Sequence, residues 1–428
     1  MLAKDKNELL TRVGPGTPMN ALLRRYWMPA LLSSDLTPDG DPKRLTLLGE
    51  HYVAFRDTDG RVGVLDETCC HRGSSLMLGR NEDNGLRCIF HGWKYGVDGT
   101  ILDTPNVADP AYKSRFRQPA YPVREAGDLI WVYLGDPKLE APFREYEYMR
   151  LPPSHRMVMR LNIDCNYLQV VEGGLDSSHV GILHHDLASL RQTADLEKLP
   201  QNMQLNRQKL LTDMAPRFEV RDTEFGFHYA ALRAANDGTH NVNVRVTAFI
   251  APTTIMIPPK LFVIHDIPYD DVHTGWIVTH WNPNGPVDRE AMTKVMALDT
   301  AGFWINDRVM QSPENGYLQN RDAMRKGSWS GLYGLGPEDA AVNLSQGPVL
   351  DRTKEHLVPA DVACTRVRRL LLDAVQRVSE GGDPPGLRPS QSDTIAAIEF
   401  TMPDDEMWTE RVPGNIEVAE SNASLQRA

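Results

Sequence analysis

The sequence predicts an α+β protein, with a small all-β domain followed by a larger domain in which helices pack on an antiparallel sheet. Three observations carry this expectation. Two hairpin patterns lie near the N-terminus: "HYVAFRDTDGRVGVL", with an Asp-Gly turn at Asp59 and Gly60, and "YPVREAGDLIWVYLG", turning at Gly127. The stretch "GDPKLEAP", with two prolines, then marks a break near residue 140. Beyond it come the strand-like runs "PRFEVRDTEFGFHYAALRA", "HNVNVRVTAFIAPTTIMIP", "KLFVIHDI" and "GWIVTHWN", and a closing helix in "DVACTRVRRLLLDAVQRV".

Each element follows from local pattern. "NALLRRYWMPALLSSDL" reads as a short helix closed by Pro29 and followed by loop. A strand and then a helix are expected over "LNIDCNYLQVVEGGLDSSHVGILHH". In "NVNVRVTAF", Val242, Val244 and Val246 share one strand face, and Asn243, Arg245 and Thr247 the other. These readings give domains at 1–140, including the N-terminal helical segment, and at 141–428.

Bulk properties narrow the function. The 428 residues are 41% apolar and 24% charged, as in ordinary folded proteins. A net charge of −11 gives no basis for a nucleic-acid or anionic-membrane partner. The start, "MLAKDKNELLTRV", lacks the apolar run of a signal peptide, and no stretch approaches the roughly 20 apolar residues of a membrane span. A cytoplasmic setting is expected, where thiols stay reduced and clustered cysteines hold metal or do chemistry.

Three of the five cysteines crowd into "CCHRGSSLMLGRNEDNGLRCIFH", between the two hairpins. Cys69 precedes His71 and Cys88 precedes His91, as Cys-x-His and Cys-x-x-His. Two thiolates and two imidazoles on loops suit tetrahedral zinc. They equally suit a [2Fe–2S] cluster with both cysteines on one iron and both histidines on the other. The alternation of ligand types fits the second reading, since each loop then supplies one ligand to each iron. Gly73, Gly92 and Gly96 leave room for backbone N–H groups to approach inorganic sulfur. Cys70 reads as a spare thiol packed in the loop.

The set Cys69-x-His71-Arg72-Gly73 and Cys88-x-x-His91-Gly92-Trp93-x-Tyr95 resembles the Rieske cluster motif. Such a cluster moves electrons and performs no substrate chemistry, so the rest of the chain must supply that. On an ideal helix, Asn166, Gln169, Glu172, Asp176 and His179 fall within about 140° of one face. Gly173 and Gly174 within it cost about 1 kcal/mol each relative to alanine, which signals close packing. His179 and His184 are five apart, and a break at Gly181 would bring them together. Two histidines and a carboxylate form the facial triad of non-haem iron oxygenases.

The pattern Asp176-x-x-His179-x-x-x-x-His184 is similar to the iron segment of Rieske oxygenase α-subunits, and the resemblance extends over roughly residues 20–380. It implies a helix-grip catalytic domain and a mononuclear Fe(II) on His179, His184 and a distant aspartate. His184 is preferred over His185, and "GPEDAAVNLSQG" selects Asp339, with Glu338 the runner-up and Asp351 and Glu355 further candidates. It assigns Asp176 as the bridge to a Rieske histidine of a neighbouring subunit, and hence a homo-oligomer, a trimer or stacked trimers.

No Gly-x-Gly-x-x-Gly follows a strand, and "GLYGLGPEDA" has the wrong order, so electrons are expected from a separate NADH-dependent reductase, with or without a ferredoxin. The opening "RRYWMPALLSSDL" and the late "DRTKEHLVPADVACTRVRRLLLDA" look like the phthalate-dioxygenase-type group. That implies O2 insertion into a carboxylated aromatic of phthalate, benzoate or phenoxybenzoate type. The alternatives are monooxygenation or O-demethylation of a methoxylated acid, or electron transfer alone. Arg245 and Arg207 are the arginines suited to a carboxylate, and Ser178, beside the iron histidine, is a candidate for the pocket wall.

Overall fold

The computed structural model describes residues 1–188, 213–235, 238–258, 262–387, 395 and 397–412. It divides into two compact units, one of Arg12–Glu145 with Ile267–Asp271, the other of Met1–Thr11, Tyr146–Asp266 and Val272–Ala428. The helix α1 (Lys4–Thr11) therefore belongs with the larger unit, whereas the 1–140 reading groups it with the first domain. Two hydrogen bonds show why: the Tyr167 hydroxyl donates to Leu10 O and the Asn166 amide to Thr11 O.

The smaller unit opens with α2 (Pro18–Leu23), capped by Thr17, and continues straight into strand β1 (Trp27–Leu32). Pro29 thus sits in a strand and does not close a helix. The β1–β10 register slips between Pro29 and Leu31, which accommodates a residue with no N–H to donate. Three antiparallel sheets follow. The first is β2 (Lys43–Leu47), β3 (Glu50–Arg56) and β4 (Val62–Asp66). The second is β5 (Arg80–Glu82), β6 (Gly85–Arg87), β7 (Lys94–Tyr95) and β8 (Ile101–Asp103). In the third, β1 pairs with β10 (Leu129–Tyr133), and β10 with β9 (Val123–Ala126). Both expected hairpins form, and Gly127 and Asp128 take positive φ at 65° and 64°, as a two-residue turn requires. Val53, Phe55, Leu65, Leu86, Trp93 and Tyr95 build a core directly beneath the Cys/His loops.

The larger unit is one ten-stranded sheet with helices packed on it. β11 (Arg156–Ile163) pairs with β17 (Thr274–Trp281), while β12 (Arg217–Thr223), β13 (Gly226–Ala234), β14 (Asn241–Ile250), β15 (Thr254–Ile257) and β16 (Phe262–Pro268) follow one another antiparallel. Two short strands, β18 (Trp304–Ile305) and β19 (Arg308–Val309), lie beyond β11, and β20 (Ile398–Pro403) pairs with β14. Val242, Val244 and Val246 bury one face against Met402, Trp408 and Val412. Asn243, Arg245 and Thr247 occupy the other face.

α3 (Tyr167–Leu175) packs against α1, α4 (Leu335–Ser345) and α5 (Val362–Ser379). Asn166 caps it by accepting from Leu168 N–H at 3.2 Å. Its polar stripe is not a solvated face, for Asn166, Gln169 and Glu172 are all buried. The two glycines are explained by contact. A Cβ on Gly173 would stand 3.3 Å from the Asn343 amide, and one on Gly174 would stand 2.7 Å from Ile255 Cδ1.

Glu172 fixes α3 through charge. Arg352 Nη2 donates to Glu172 Oε2 at 2.8 Å and Arg368 Nε to Oε1 at 2.6 Å, and both arginines are almost fully buried. Arg368 also reaches Glu355 at 2.9 Å. Buried ion pairs of this kind resist the loss of one member, because the charge left behind is uncompensated. Glu172→Ala is expected to cost about 3 kcal/mol, read as a lower urea midpoint at unchanged m-value; an unchanged midpoint would show that Glu355 and Asn7, whose Oδ1 accepts from Arg352 Nη1 at 3.2 Å, suffice.

Candidate metal centres

The two Cys/His loops share one backbone design despite different ligand spacing. Cys69 N–H donates to Ser74 O at 2.9 Å and Gly73 N–H returns to Cys69 O at 2.9 Å. In the second loop Cys88 N–H donates to Trp93 O at 2.8 Å and Gly92 N–H returns to Cys88 O at 3.0 Å. Each loop thus closes from cysteine to the glycine four residues on, and both glycines take positive φ, 73° and 76°. Only the histidine's place within the loop differs.

Cys69 and Cys88 are buried and not joined to each other, and the His71 and His91 rings lie 4.6 Å apart. Trp93 stacks on His71 at 4.4 Å. His91 Nδ1 is buried with no hydrogen-bond partner. Burial, followed by His91 and Arg72, lowers the His71 pKa and keeps its ring neutral, the form that ligates metal. The Tyr95 hydroxyl lies 2.9 Å from Cys69 Sγ. Burial first, then Cys69, raises the phenol's pKa, so it stays protonated and donates to a thiolate. A [2Fe–2S] group fits this donor set, with its orphaned imidazole nitrogen and its two paired loops. Cys70 is exposed, its N–H held by Gln118 at 2.8 Å, and it takes no part in the quartet.

The second constellation depends on the end of α3. The helix stops at Leu175; Asp176 leaves helical space at φ −74°, ψ 107°, and a short 3₁₀ turn, His179–Gly181, follows. Asp176 and His179 therefore do not share a helical face as the ideal-helix stripe supposed. The break brings His179 and His184 together instead, their rings 5.1 Å apart. From α4, Asp339 Oδ1 lies 3.2 Å from His184 Nε2 and 3.7 Å from His179 Nε2. Among the described residues these three form a group whose donor atoms all fall within 4.8 Å of one another.

Each histidine is backed by a second carboxylate. Asp176 Oδ2 stands 3.5 Å from His179 Nδ1, and Glu338 Oε2 stands 2.7 Å from His184 Nδ1. A carboxylate at Nδ1 orients the ring and frees Nε2 for metal. Glu338, the runner-up ligand in sequence, is thus the partner of a ligand candidate, itself held by Ser330. Burial opposes charge on His184, yet Asp339 and Glu338 outweigh it and push the pKa up to about 10. Burial likewise would raise Asp176, but its hydrogen bond and charge interaction with His179 hold it below the usual range. The group seeks positive charge, which is the chemistry of a cation site. His185 turns elsewhere, its ring 5.9 Å from Trp329.

A cavity of about 200 Å³ opens beside this group, lined by Asp176, His179 and Asp339 and reaching the exposed Val342 and Leu357. The sheet approaches from β13 and β14. Arg245 Nη1 donates to Ser177 Oγ at 3.1 Å, Arg233 Nη2 to Ser177 O at 3.1 Å, and Ser177 N–H donates to the Tyr229 hydroxyl at 3.3 Å. Ser177, and not Ser178, is what the arginines touch; Ser178 N–H turns back to Asp176 Oδ1 at 2.7 Å. Arg207 lies outside the described residues. Arg233 carried no local sequence signal beyond its place on the alternating strand "GFHYAALRA". No described helix is long and apolar enough to cross a membrane.

Comparison with known proteins bears on these arrangements directly. Residues 26–122 match the Rieske [2Fe-2S] domain, and residues 132–426 match the LigXa C-terminal domain like family. The chain is 37% identical to the phthalate 4,5-dioxygenase oxygenase subunit of Pseudomonas putida, over 89% of this chain and 88% of that one. It is 35% identical to the 3-chlorobenzoate-3,4-dioxygenase oxygenase subunit of Comamonas testosteroni, over 90% and 91% respectively. A solved structure of dicamba monooxygenase bound to 3,6-dichlorosalicylic acid shares the fold at a TM-score of 0.57 and 18% identity, covering 83% of this chain and 98% of that one.

Glu338→Gln keeps the shape behind His184 and removes the charge. Retention of mononuclear iron is expected to fall about 10- to 100-fold, measured by chelator competition and elemental analysis. Acid-labile sulfide should stay unchanged; equal iron retention would deny Glu338 its supporting role.

Proposed function

The chain belongs to the Rieske non-haem iron oxygenases, as an oxygenase subunit of the phthalate-dioxygenase-like group, and on that premise we propose that it oxidises a carboxylated aromatic ring with electrons from a separate NADH-dependent reductase. In this reading Cys69, Cys88, His71 and His91 hold the [2Fe–2S] group, and His179, His184 and Asp339 hold the mononuclear iron. When bound, the first supplies single electrons and the second activates dioxygen beside the substrate. The protein's own part is to keep His179 and His184 oriented through Asp176 and Glu338, and to present a guanidinium to the substrate carboxylate.

The observation that carries the substrate class is Arg245. It stands on the sheet face next to the Asp176–His179 turn and is held by Ser177 Oγ at 3.1 Å, with Glu399 opposite it in the β14–β20 ladder. A guanidinium forks onto a carboxylate, and burial lowers the Arg245 pKa while Glu399 partly offsets the shift, so a further anion there would relieve a partly desolvated charge. The phthalate and chlorobenzoate relatives act on rings of this kind by name. The test is product identification by mass spectrometry over benzoates, phthalates and methoxybenzoates, with a compatible reductase. Hydroxylated or dihydroxylated acids are expected; formaldehyde from a methoxybenzoate would select O-demethylation, and turnover of uncharged rings alone would sink the carboxylate reading.

Asp176 reads as the bridge by which electrons arrive from the Rieske histidine of a neighbouring copy, in a cytoplasmic trimer or stacked trimers. Its support is position: Asp176 lines the cavity that reaches the surface and also contacts His179 Nδ1. Asp176→Asn should retain both metals while slowing single-turnover electron transfer by at least about tenfold. Normal transfer in that variant would remove the bridging role.

A further inference from the structure

The two Cys/His loops are anchored by different means. Cys88 follows β6 directly, and β6 is paired on both sides, with Arg87 opposite Arg80 in β5 and opposite Lys94 in β7. The hydroxyl that meets Cys69 comes from the same hairpin, since Tyr95 stands opposite Leu86. The chain leading to Cys69 has no such ladder. β4 ends at Asp66, three residues short of the cysteine.

Beyond that point the backbone is held bond by bond. On one side Glu67 N–H donates to His51 O, and Glu67 O accepts from Leu76 N–H. On the other side a single side chain stands where a strand would. Gln118 Nε2 donates to Asp66 O at 2.9 Å and to Thr68 O at 3.0 Å, and Gln118 Oε1 accepts from Cys70 N–H at 2.8 Å. Both hydrogens and the oxygen of this amide are thus engaged, and Gln118 is fully buried. Its own backbone is seated as well. Gln118 N–H donates to Gly99 O at 3.0 Å, and a Cβ on Gly99, at φ 81°, would stand 2.1 Å from Gln118 O.

Cys69 is therefore placed by Gln118, and Tyr95 by the β6–β7 hairpin. The 2.9 Å contact between Cys69 Sγ and the Tyr95 hydroxyl joins two pieces that are held independently. Cys70 Sγ rests 3.8 Å from the same hydroxyl. A hydrogen bond to a cluster thiolate strengthens as negative charge builds on the cluster, so it favours the reduced state. Whatever fixes the length of that bond fixes part of the potential.

We propose that Gln118 is a positioning residue for electron transfer: by pinning Asp66, Thr68 and Cys70 it holds Cys69 Sγ against the Tyr95 hydroxyl and so sets the reduction potential of the [2Fe–2S] group. This rests on the assignment of Cys69, Cys88, His71 and His91 to that group. Loosening the clamp lengthens the Tyr95–Cys69 hydrogen bond and lowers the potential.

The test is potentiometric titration of the full-length, metal-loaded protein, followed by its EPR signal, with acid-labile sulfide measured in every sample. Tyr95→Phe should lower the potential by about 59 mV, a tenfold change in the one-electron equilibrium. Gln118→Met, of similar length but without the amide, should change the same equilibrium about threefold in the same direction. Added to Tyr95→Phe it should contribute less than about half of that, because the bond through which Gln118 acts is already gone. Gln118→Glu keeps an oxygen for Cys70 N–H and should show the same coupling to Tyr95. Any effect of its charge is equal in both backgrounds, so the test stands even where the Met variant loads no cluster.

An unchanged potential at full sulfide, in Gln118→Met or in Tyr95→Phe, would overturn the proposal. So would an equal drop with and without the Tyr95 hydroxyl. Loss of sulfide from both Gln118 variants would make the residue a prop for the fold and overturn it too. A wild type that holds no acid-labile sulfide would remove the cluster assignment as well.

Discussion

Asp176 takes extended backbone angles where an ideal helix would continue, and the candidate iron site depends on that departure. With α3 stopped at Leu175, the chain turns through Ser177 and a single 3₁₀ turn, so that residues three and eight beyond Asp176 meet in space. A continuous helix would separate His179 and His184 by their spacing of five. Several constraints hold the stop in place. Glu172, one turn earlier, is locked by Arg352 and Arg368; Ser177, one residue later, is held at N, O and Oγ by Tyr229, Arg233 and Arg245. The turn is gripped on the helix side by charge and on the sheet side by hydrogen bonds.

That grip also sorts charge. Behind each candidate ligand histidine stands an acid, and Asp339 faces both rings from α4. Three carboxylates around two imidazoles make a locally negative site, and the raised pKa of His184 is the response of a group recruited to neutralise it. On the sheet side the sign reverses at Arg233 and Arg245. One turn of chain therefore separates the acidic surroundings of the two histidines from the guanidiniums that hold Ser177.

How much of this was legible in the sequence varied with the range of the interaction. The Cys/His loops were readable because their constraint is local: cysteine, a histidine and a turning glycine within five residues, twice. The strands and closing helix were readable from period alone. The helix stripe over residues 166–179 pointed to the right side chains for an incomplete reason, since periodicity cannot register a helix that stops at Leu175. Pro29 misled because a proline in a strand is tolerated only where the ladder slips, a fact held by the partner strand. Glu338 and Arg233 were hidden for the same reason. Their roles depend on partners 154 and 56 residues away, which no local pattern announces.

The two faces of the turn also suggest why one residue position cannot serve both tasks. Asp176 lines a cavity that reaches the surface among helices, while Ser177 faces the sheet and its arginines. Consecutive residues in extended backbone point to opposite sides, so one step of chain directs Asp176 toward the cavity and Ser177 toward the arginines of the sheet. A helical backbone at this point would rotate successive side chains by only about 100°, and the two approaches would crowd one another. Ending α3 one residue before Asp176 is thus what lets a single short segment serve His179, the cavity and the sheet at once.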